Sequence, residues 1–572
     1  MDKINKLVEW AKTDGAGISD NIEFTQFDKS NFGAKSTNTS KASIQIPRKL
    51  IITCDLAKSL FGEKVCNESK NHGALLKLYL CYERLHSNSF YKPYFDILPD
   101  LQEIGSPYTW SPEEKSYIQG TNLGNSLNEN LQALIEEWWS VINLLPESIN
   151  KPEEHFINMK FYYEYKFYKD QDFFDYFNNS NPQNWTSFPN YLWSSLIFKS
   201  RSFPTYIIDK TVPKNESMLL PVVDMLNHNP KAKVQWTCNN ESFVFETDSV
   251  IPNGEEIFNN YGMKGNEELL LAYGFAIENN VADSVALKIK VPESSLKILK
   301  ELDVKLPTID DYTNSIVGET ESNKENYENG ILFFINSDNI PENLIQVFQV
   351  LVQNPWEKGE ITLRMKFAGL NHLRAALEVK KNMLRLDVPI VKSLRYNYIK
   401  WYVDSQNKIF TSAIKDIKRQ EKQLLTESKS NLITLKNVYK KDTRFQQSLL
   451  FLGFDSYEKI LESEFQDQCW LLWLIRCYNK NLYKSNEELP DWIFKLFKHL
   501  RETIDITGQE VLNYKPVFDA IIPDLASAVP EIYDTGEWTI GEFIIAGKLL
   551  DLISFTRGKE QECIVVKQNY KV

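Results

Sequence analysis

Two stretches of the chain concentrate side chains able to bind charge, hold a proton or line a polar pocket. One runs Asp224-Met225-Leu226-Asn227-His228-Asn229-Pro230, and the other Asn253-Gly254-Glu255-Glu256-Ile257-Phe258-Asn259-Asn260-Tyr261-Gly262. Arg201 precedes the first and Tyr273 follows the second. Each of these residues has an ordinary reading by itself. A tyrosine such as Tyr261 is most often a strand-end ring with a satisfied hydroxyl, and Tyr273 stands at an expected helix end where burial is the default. His228 alone reads as a loop or core histidine, and Asp224 and Arg201 as structural ion-pair partners. A metal centre is disfavoured: the six histidines, at 72, 86, 155, 228, 372 and 499, never fall at the i, i+4 spacing of a helical site. The seven cysteines, at 54, 66, 81, 238, 469, 477 and 563, form no CxxC pair and read as reduced, packed thiols.

Taken together and in this order, the two stretches resemble the closing half of a SET domain, where an Asn-His segment and a Tyr-Gly segment thread past one another like a knot. The run Lys264 to Phe275 is similar to the segment that follows the Tyr-Gly motif in Rubisco large-subunit methyltransferase and its relatives. Upstream, Ser30 to Ser36 and Ile46 to Thr53 resemble that subfamily's opening strands. The subfamily usually reads Gly-x-Gly where this chain has Asn31-Phe32-Gly33, and Asn accepts left-handed backbone better than most residues. Tyr91 to Pro99, Pro107 to Trp110 and Lys199 to Phe203 match the helical insert and the segment after it. The resemblance spans roughly residues 1–290 and, more weakly, the helical second half.

What the resemblance implies is a protein-lysine N-methyltransferase that takes its methyl group from S-adenosyl-L-methionine. In it, Tyr261 would aim its hydroxyl at the methyl-transfer centre and Tyr273 would line the lysine channel. Asn227 and His228 would contact the cofactor, His228 through its main chain against the adenine. Asp224 and Arg201 would support the amino-acid end of the cofactor or the knot, and Phe32 and Gly33 would form the floor. No residue is assigned to a metal. The chemistry suits such a site, since holding two reactants in a near-attack pose supplies most of the acceleration. A lysine amine, with a reference pKa of about 10.4, must first lose its proton, which desolvation in an aromatic channel and a nearby positive charge both encourage.

The elements that must position these groups are short. From residue 18 to 53 β-like runs alternate with polar turns, and strand character returns at Leu219 to Val223, Lys233 to Trp236, Phe243 to Glu246 and Ile257 to Asn259. Between them lie helical patterns at Gly73 to Leu85 and Asn128 to Leu145, and an aromatic run, Phe161 to Tyr168, read chiefly as core packing. Asn266 is expected to cap a helix that Gly274 stops. Past a polar, acidic loop at Thr308 to Asn329 come leucine and isoleucine stripes, as at Leu370, Leu373, Leu377 and Leu384, or Ile399, Tyr402, Ile409, Ala413 and Ile417. The expected fold is α+β. A small-sheet SET domain over 1–285, split by a helical insert at about 65–195, precedes an all-α, substrate-binding domain over 286–572.

At 572 residues, 42% hydrophobic and 25% charged, the chain has the composition of an ordinary globular protein. Its net charge of -12 argues against a broad nucleic-acid surface and for a basic protein partner. The N-terminal segment is charged throughout, unlike a signal peptide, and reads as an amphipathic helix with Ile4, Leu7 and Val8 on one side. The longest apolar run, Trp470 to Ile475, is too short for a membrane span. The expectation is a soluble, monomeric enzyme of the cytosol or nucleus that methylates a ribosomal protein or an elongation factor. Two alternatives stay open: a histidine or cytochrome c lysine as the target, or a SET-like binding module without activity.

Overall fold

The computed structural model describes residues 2–27, 32–69, 71–239, 242–308, 327, 330–483, 488–558 and 561–572. Ser30, Asn31 and nearly all of the acidic loop, 309–326 with 328 and 329, lie outside the described residues. The N-terminal helix, Asp2–Thr13, buries Ile4, Leu7 and Ala11 on one face. After it the chain lays down short antiparallel strands whose partners lie far away in sequence. A four-stranded sheet orders Gly17–Ile18, Ser43–Ile46, Ser242–Thr247 and Val234–Asn239, with Ile44 opposite Phe245 and Trp236 opposite the same Phe245. A three-stranded sheet orders Ile22–Gln26, Phe32–Ser36 and Glu256–Ile257. Strands this short expose few ladder bonds, so their stability comes from the inward side chains, such as Ala34, Ile44, Ile46, Phe243 and Phe245, all buried.

The helical insert fills the gap between the two halves of these sheets. His72–Leu85 and Asn122–Ile142 pack around Phe188–Arg201, which is buried from Phe188 through Phe198. A helix apolar on every side belongs inside a core. Its indole Trp193 donates to the Pro99 carbonyl at 2.8 Å, which removes the cost of a buried N–H. The helix ends by running into the strand Ser202–Pro204, paired with Ser217–Leu219, and so delivers Arg201 to the sheet edge. The aromatic run divides: Phe161 stacks on Tyr176 at 4.2 Å and is buried with Tyr165, whereas Tyr163 and Phe167 are exposed.

The second half, expected to be all-α, is mainly helical but carries strands whose partners lie too far apart to show in local periodicity: Val285–Ile289 and Ile331–Ile335 form a two-stranded ribbon, followed by long helices. Leu370, Leu373 and Leu377 are buried along Leu363–Asn382, and Ile409, Ala413 and Ile417 along Leu394–Glu427, within one apolar cluster. Leu394–Glu427 serves as a strut of about 50 Å, at 1.5 Å per residue. Near its start Ile399, Tyr402 and Val403 pack into the core of the first half. A further cluster surrounds Gln466–Tyr478, with a small sheet ordered Leu432–Thr434, Glu562–Val566, Ser554–Arg557 beside it. Among the described residues no helix is long and apolar enough to cross a membrane.

Two local expectations need correcting. The run Leu219 to Val223 is extended only to Leu219: Val222 has φ 77 and starts a 3-10 turn, Val223–Met225. Nothing in the pair Val222-Val223 signals that reversal, because left-handed backbone is strained for valine and is held by surrounding packing. Asn266 is not the cap either; Gly265 is, and Asn266 sits in the first turn. Its amide is used instead to clamp the loop beyond the helix, accepting from Ile277 N at 2.9 Å and donating to Ile277 O at 3.0 Å.

Candidate functional site

The chain crosses itself at the two polar stretches. His228 and Asn259 form a parallel bridge, in which Asn229 N donates to Asn259 O at 3.0 Å and Asn259 N donates to Asn227 O at 2.8 Å. The turn at Val222, fully buried and strained by roughly 1–3 kcal/mol, aims the next residues at this crossing. Tyr261 lies just beyond it and is gripped at both ends by the other strand. Its amide donates to His228 Nδ1 at 3.1 Å, and its hydroxyl donates to Leu226 O at 2.8 Å.

Three rings are piled in parallel here. His228 lies on Tyr261 with centroids 4.9 Å apart and 15° between planes, and Tyr261 lies on Tyr273 at 5.2 Å and 15°. Tyr273 reaches the pile because Leu269–Tyr273 is a π-helical turn, a geometry that shifts side-chain phase and recurs at functional sites. Gly274 then ends the turn in left-handed backbone, φ 73, and passes so close to the Ile104 carbonyl that a Cβ would lie 1.7 Å from its oxygen. Burial pushes the Tyr261 hydroxyl up to about 12, with Asp224 and Glu256 also raising it and Arg201 opposing. It is therefore protonated near neutrality, a hydrogen-bonding group and not a strong base. Tyr273 is raised as well, mainly by burial.

Below the rings, Arg201, Asp224, Asn259, Tyr261 and Tyr273 line one cavity of about 380 Å³, with Trp236 and Ser200 on its wall. The Asp224 side chain is fully buried. Its Oδ2 accepts from Tyr94 OH at 2.7 Å and from Arg201 Nη1 at 3.5 Å, and Arg201 Nη1 also donates to the Asp224 carbonyl at 3.0 Å. Burial raises the Asp224 carboxyl while Arg201 holds it down. Among the described residues, Asp224 Oδ1 and Asn259 Nδ2 are buried without a hydrogen-bond partner. Asn259 cannot turn to cure this, since its Oδ1 already accepts from Trp236 Nε1 at 3.1 Å and Asn260 N at 2.8 Å. Orphaned buried acceptors and donors are costly, and their persistence beside a cavity marks a place where a ligand completes the bonding.

Phe32 and Gly33 do not line this cavity. Gly33 lies by Asn227, whose Nδ2 donates to Glu256 Oε1 at 2.7 Å, and a Cβ at Gly33 would meet the Phe27 ring at 2.5 Å and Asn227 Nδ2 at 2.9 Å. Phe32 is half-buried at the start of the same strand. The expected residues thus form two groups: Arg201, Asp224, Tyr261 and Tyr273 around the cavity, and Gly33, Asn227 and His228 about the crossing. Sequence reasoning gave no role to Tyr94, Glu256, Asn259 or Trp236, whose partners lie too far along the chain to be paired by spacing. It also passed over Lys264 and Glu268, an ion pair one helical turn apart on the cavity wall. A larger cavity, about 710 Å³, lies between the strand Leu432–Thr434 and Trp473. Of its two acids, Glu488 is exposed and Asp442 is already matched by Arg476 at 2.8 and 3.0 Å, so the smaller cavity carries the stronger chemical case.

The chain matches known proteins over most of its length. The SET domain family matches residues 41–262, and the EFM1 middle domain family matches residues 284–428. Ribosomal lysine N-methyltransferase 1 of Saccharomyces cerevisiae is 30% identical over 91% of this chain and 93% of its own length. Protein-lysine N-methyltransferase EFM1 of the same yeast is 27% identical over 99% of this chain and 98% of its own. In fold, the structure of Rubisco LSMT bound to AdoMet superposes with a TM-score of 0.53 at 17% identity, covering 74% of this chain and 93% of that one.

Proposed function

Because the chain belongs to the SET-domain protein-lysine N-methyltransferases related to Rubisco large-subunit methyltransferase, with S-adenosylmethionine as methyl donor, we propose that it methylates a lysine of the cytosolic translation apparatus. A ribosomal protein or an elongation factor is the substrate class this reading favours. The observation that carries it is the full-length similarity to a yeast ribosomal lysine methyltransferase. The chain's net charge of -12, opposite in sign to basic partners of that kind, also supports it through electrostatic steering.

The site residues fit the donor. When bound, S-adenosylmethionine supplies a methyl group carried on positively charged sulfur. Arg201 and the orphaned Asp224 Oδ1 offer a cation and an anion side by side, the complement of an amino-acid carboxylate and ammonium. The bare backbone at Phe32 and Gly33 and the main chain at Asn227 and His228 would hold the rest of the donor. Tyr273 would line the channel for the lysine side chain, and Tyr261, whose hydroxyl donates to the Leu226 carbonyl and keeps its oxygen as an acceptor, would orient the amine. The stacked rings leave little water about that amine, which favours loss of its proton. Residues 1–285 would house this chemistry, and 286–572 would hold the substrate protein.

The test is to incubate the purified protein, beside Tyr261→Phe, with methyl-labelled donor and an unmethylated cytosolic extract separated into ribosomal and soluble fractions. The expected result is one labelled lysine in a ribosomal protein or elongation factor, with turnover lowered by about 10²-fold or more in the variant, the cost of one oriented hydroxyl at a reacting centre. Label on a histidine, or on a protein outside translation, overturns the substrate assignment. No label in any fraction overturns the activity.

A further inference from the structure

We infer that the imidazole of His228 is a positioning element for Tyr261: its unprotonated Nδ1 holds the Tyr261 main-chain amide, and turnover requires that nitrogen to stay unprotonated. The inference rests on the methyltransferase reading above but concerns a side chain to which that reading gives no part. The geometry begins with direction. A backbone amide can only donate, so the 3.1 Å bond from Tyr261 N obliges Nδ1 to accept, which places the ring proton on Nε2. Adding a second proton sets N–H against N–H, and the bond is lost.

What depends on that bond is the pose of both tyrosines. The segment Leu226 to His228 holds Tyr261 at two points, the hydroxyl through Leu226 O and the amide through His228 Nδ1. The same imidazole is the end ring of the parallel pile that continues through Tyr261 to Tyr273. A charged, turned imidazole would therefore release one of the two anchors of Tyr261 and disturb the ring against which Tyr273 lies. Displacements of about 1 Å in such a constellation can cost about 10²-fold in rate.

The surroundings keep the ring neutral. Burial is the main cause that lowers its affinity for a proton, and the Lys264 ammonium adds to it. Lys264 is paired with Glu268 across one helical turn. Beyond Tyr261 stand the Arg201–Asp224 pair, and Glu256 reaches the crossing through Asn227. No carboxylate is hydrogen-bonded to the imidazole among the described residues, so nothing rewards its charged form.

Two readouts test this. In the full-length protein, nitrogen-15 NMR of the imidazoles, with His228→Asn to identify the signal, should show Nδ1 bare and Nε2 protonated, titrating below the ordinary range near 6.5. This reading needs no substrate and so separates failure of the inference from failure of the proposed function. In turnover, His228→Ala should lower kcat about 10–100-fold with donor affinity by calorimetry little changed. His228→Asn, which keeps an acceptor but cannot take a proton, should recover most of that loss. The ratio of wild-type to His228→Asn kcat should fall as pH drops below about 6.5, because the substrate amine's own titration cancels in the ratio. A proton found on Nδ1, a flat ratio, or an alanine variant that loses donor affinity with kcat intact would each overturn the inference.

Discussion

Two of the arginine–carboxylate pairs among the described residues, Arg364–Glu357 and Arg201–Asp224, bury the carboxylate completely, and they are built to different standards. At the C-terminal side, Glu357 is completely satisfied. Its Oε1 accepts from Thr362 Oγ1 at 2.6 Å, Arg364 Nε at 3.0 Å and Gln568 Nε2 at 3.0 Å, and its Oε2 accepts from Asn354 N at 3.1 Å and Arg364 Nη2 at 2.5 Å. Arg364 Nη2 also donates to the Val352 carbonyl. Asp224, equally buried, has one oxygen without a partner and a single guanidinium nitrogen at 3.5 Å on the other. A completed pair ties segments together and has nothing left to offer a ligand. An incomplete pair beside a cavity forgoes stability and keeps its capacity to bind.

The sharpest way to break this comparison is to remove each arginine. Arg364→Met should cost ~3–5 kcal/mol of stability, since it strands a buried carboxylate, and should leave donor affinity in the folded fraction unchanged. Arg201→Met should destabilise less and weaken donor binding about 10–100-fold, the ~1.5–3 kcal/mol of a charged hydrogen bond. Denaturant melts and calorimetry read the two quantities. Equal losses of stability with donor affinity intact in both would erase the distinction.

Glu267, a half-buried acid with no cation paired to it among the described residues, sharpens the point. Burial raises its carboxyl to about 7, opposed by a bond from Tyr402 OH at 3.3 Å and helped by repulsion from Asp283. With the folded value above the unfolded one, folding prefers the protonated form. Stability is highest below about 4.5, falls as pH rises to about 7, and is then level. Glu267→Gln should remove that loss, a gain of up to ~3 kcal/mol at pH 8 and none at pH 4, measured by melts at both. A gain equal at the two pH values would remove titration as its cause. The smallest effect is expected from single hydroxyls. Tyr94→Phe and Thr362→Val should each cost ~1 kcal/mol in thermal melts, and only Tyr94→Phe, which loosens Asp224, should also weaken donor binding.

Much of the site was legible because its two polar stretches are each continuous in sequence and their order is distinctive. Tyr261, Asn227, His228 and Asp224 could be named because the two stretches together resemble the closing half of a SET domain; by type alone each had an ordinary reading. Tyr94 and Glu256 could not be given roles, for their bonds to Asp224 and Asn227 join residues 130 and 29 positions apart. The aromatic run was half legible: its richness in rings pointed to core packing, which holds for Phe161 and Tyr165, but only the neighbouring helices decide that Phe167 is 83% exposed. Val222 was illegible, since its φ of 77 contradicts the local preference of the residue.

Sequence by itself determined the alternation of short strands and helices in the first half, the mainly helical character of the second and the identity of the polar residues, because periodicity and residue type act over a few positions. Tertiary structure alone decided what those residues do to each other: the crossing at His228 and Asn259, the ring pile, the unpaired oxygen of Asp224. These depend on strands, insert and π-turn closing together. The energies that hold them, burial and distant hydrogen bonds, have no counterpart in spacing along the chain.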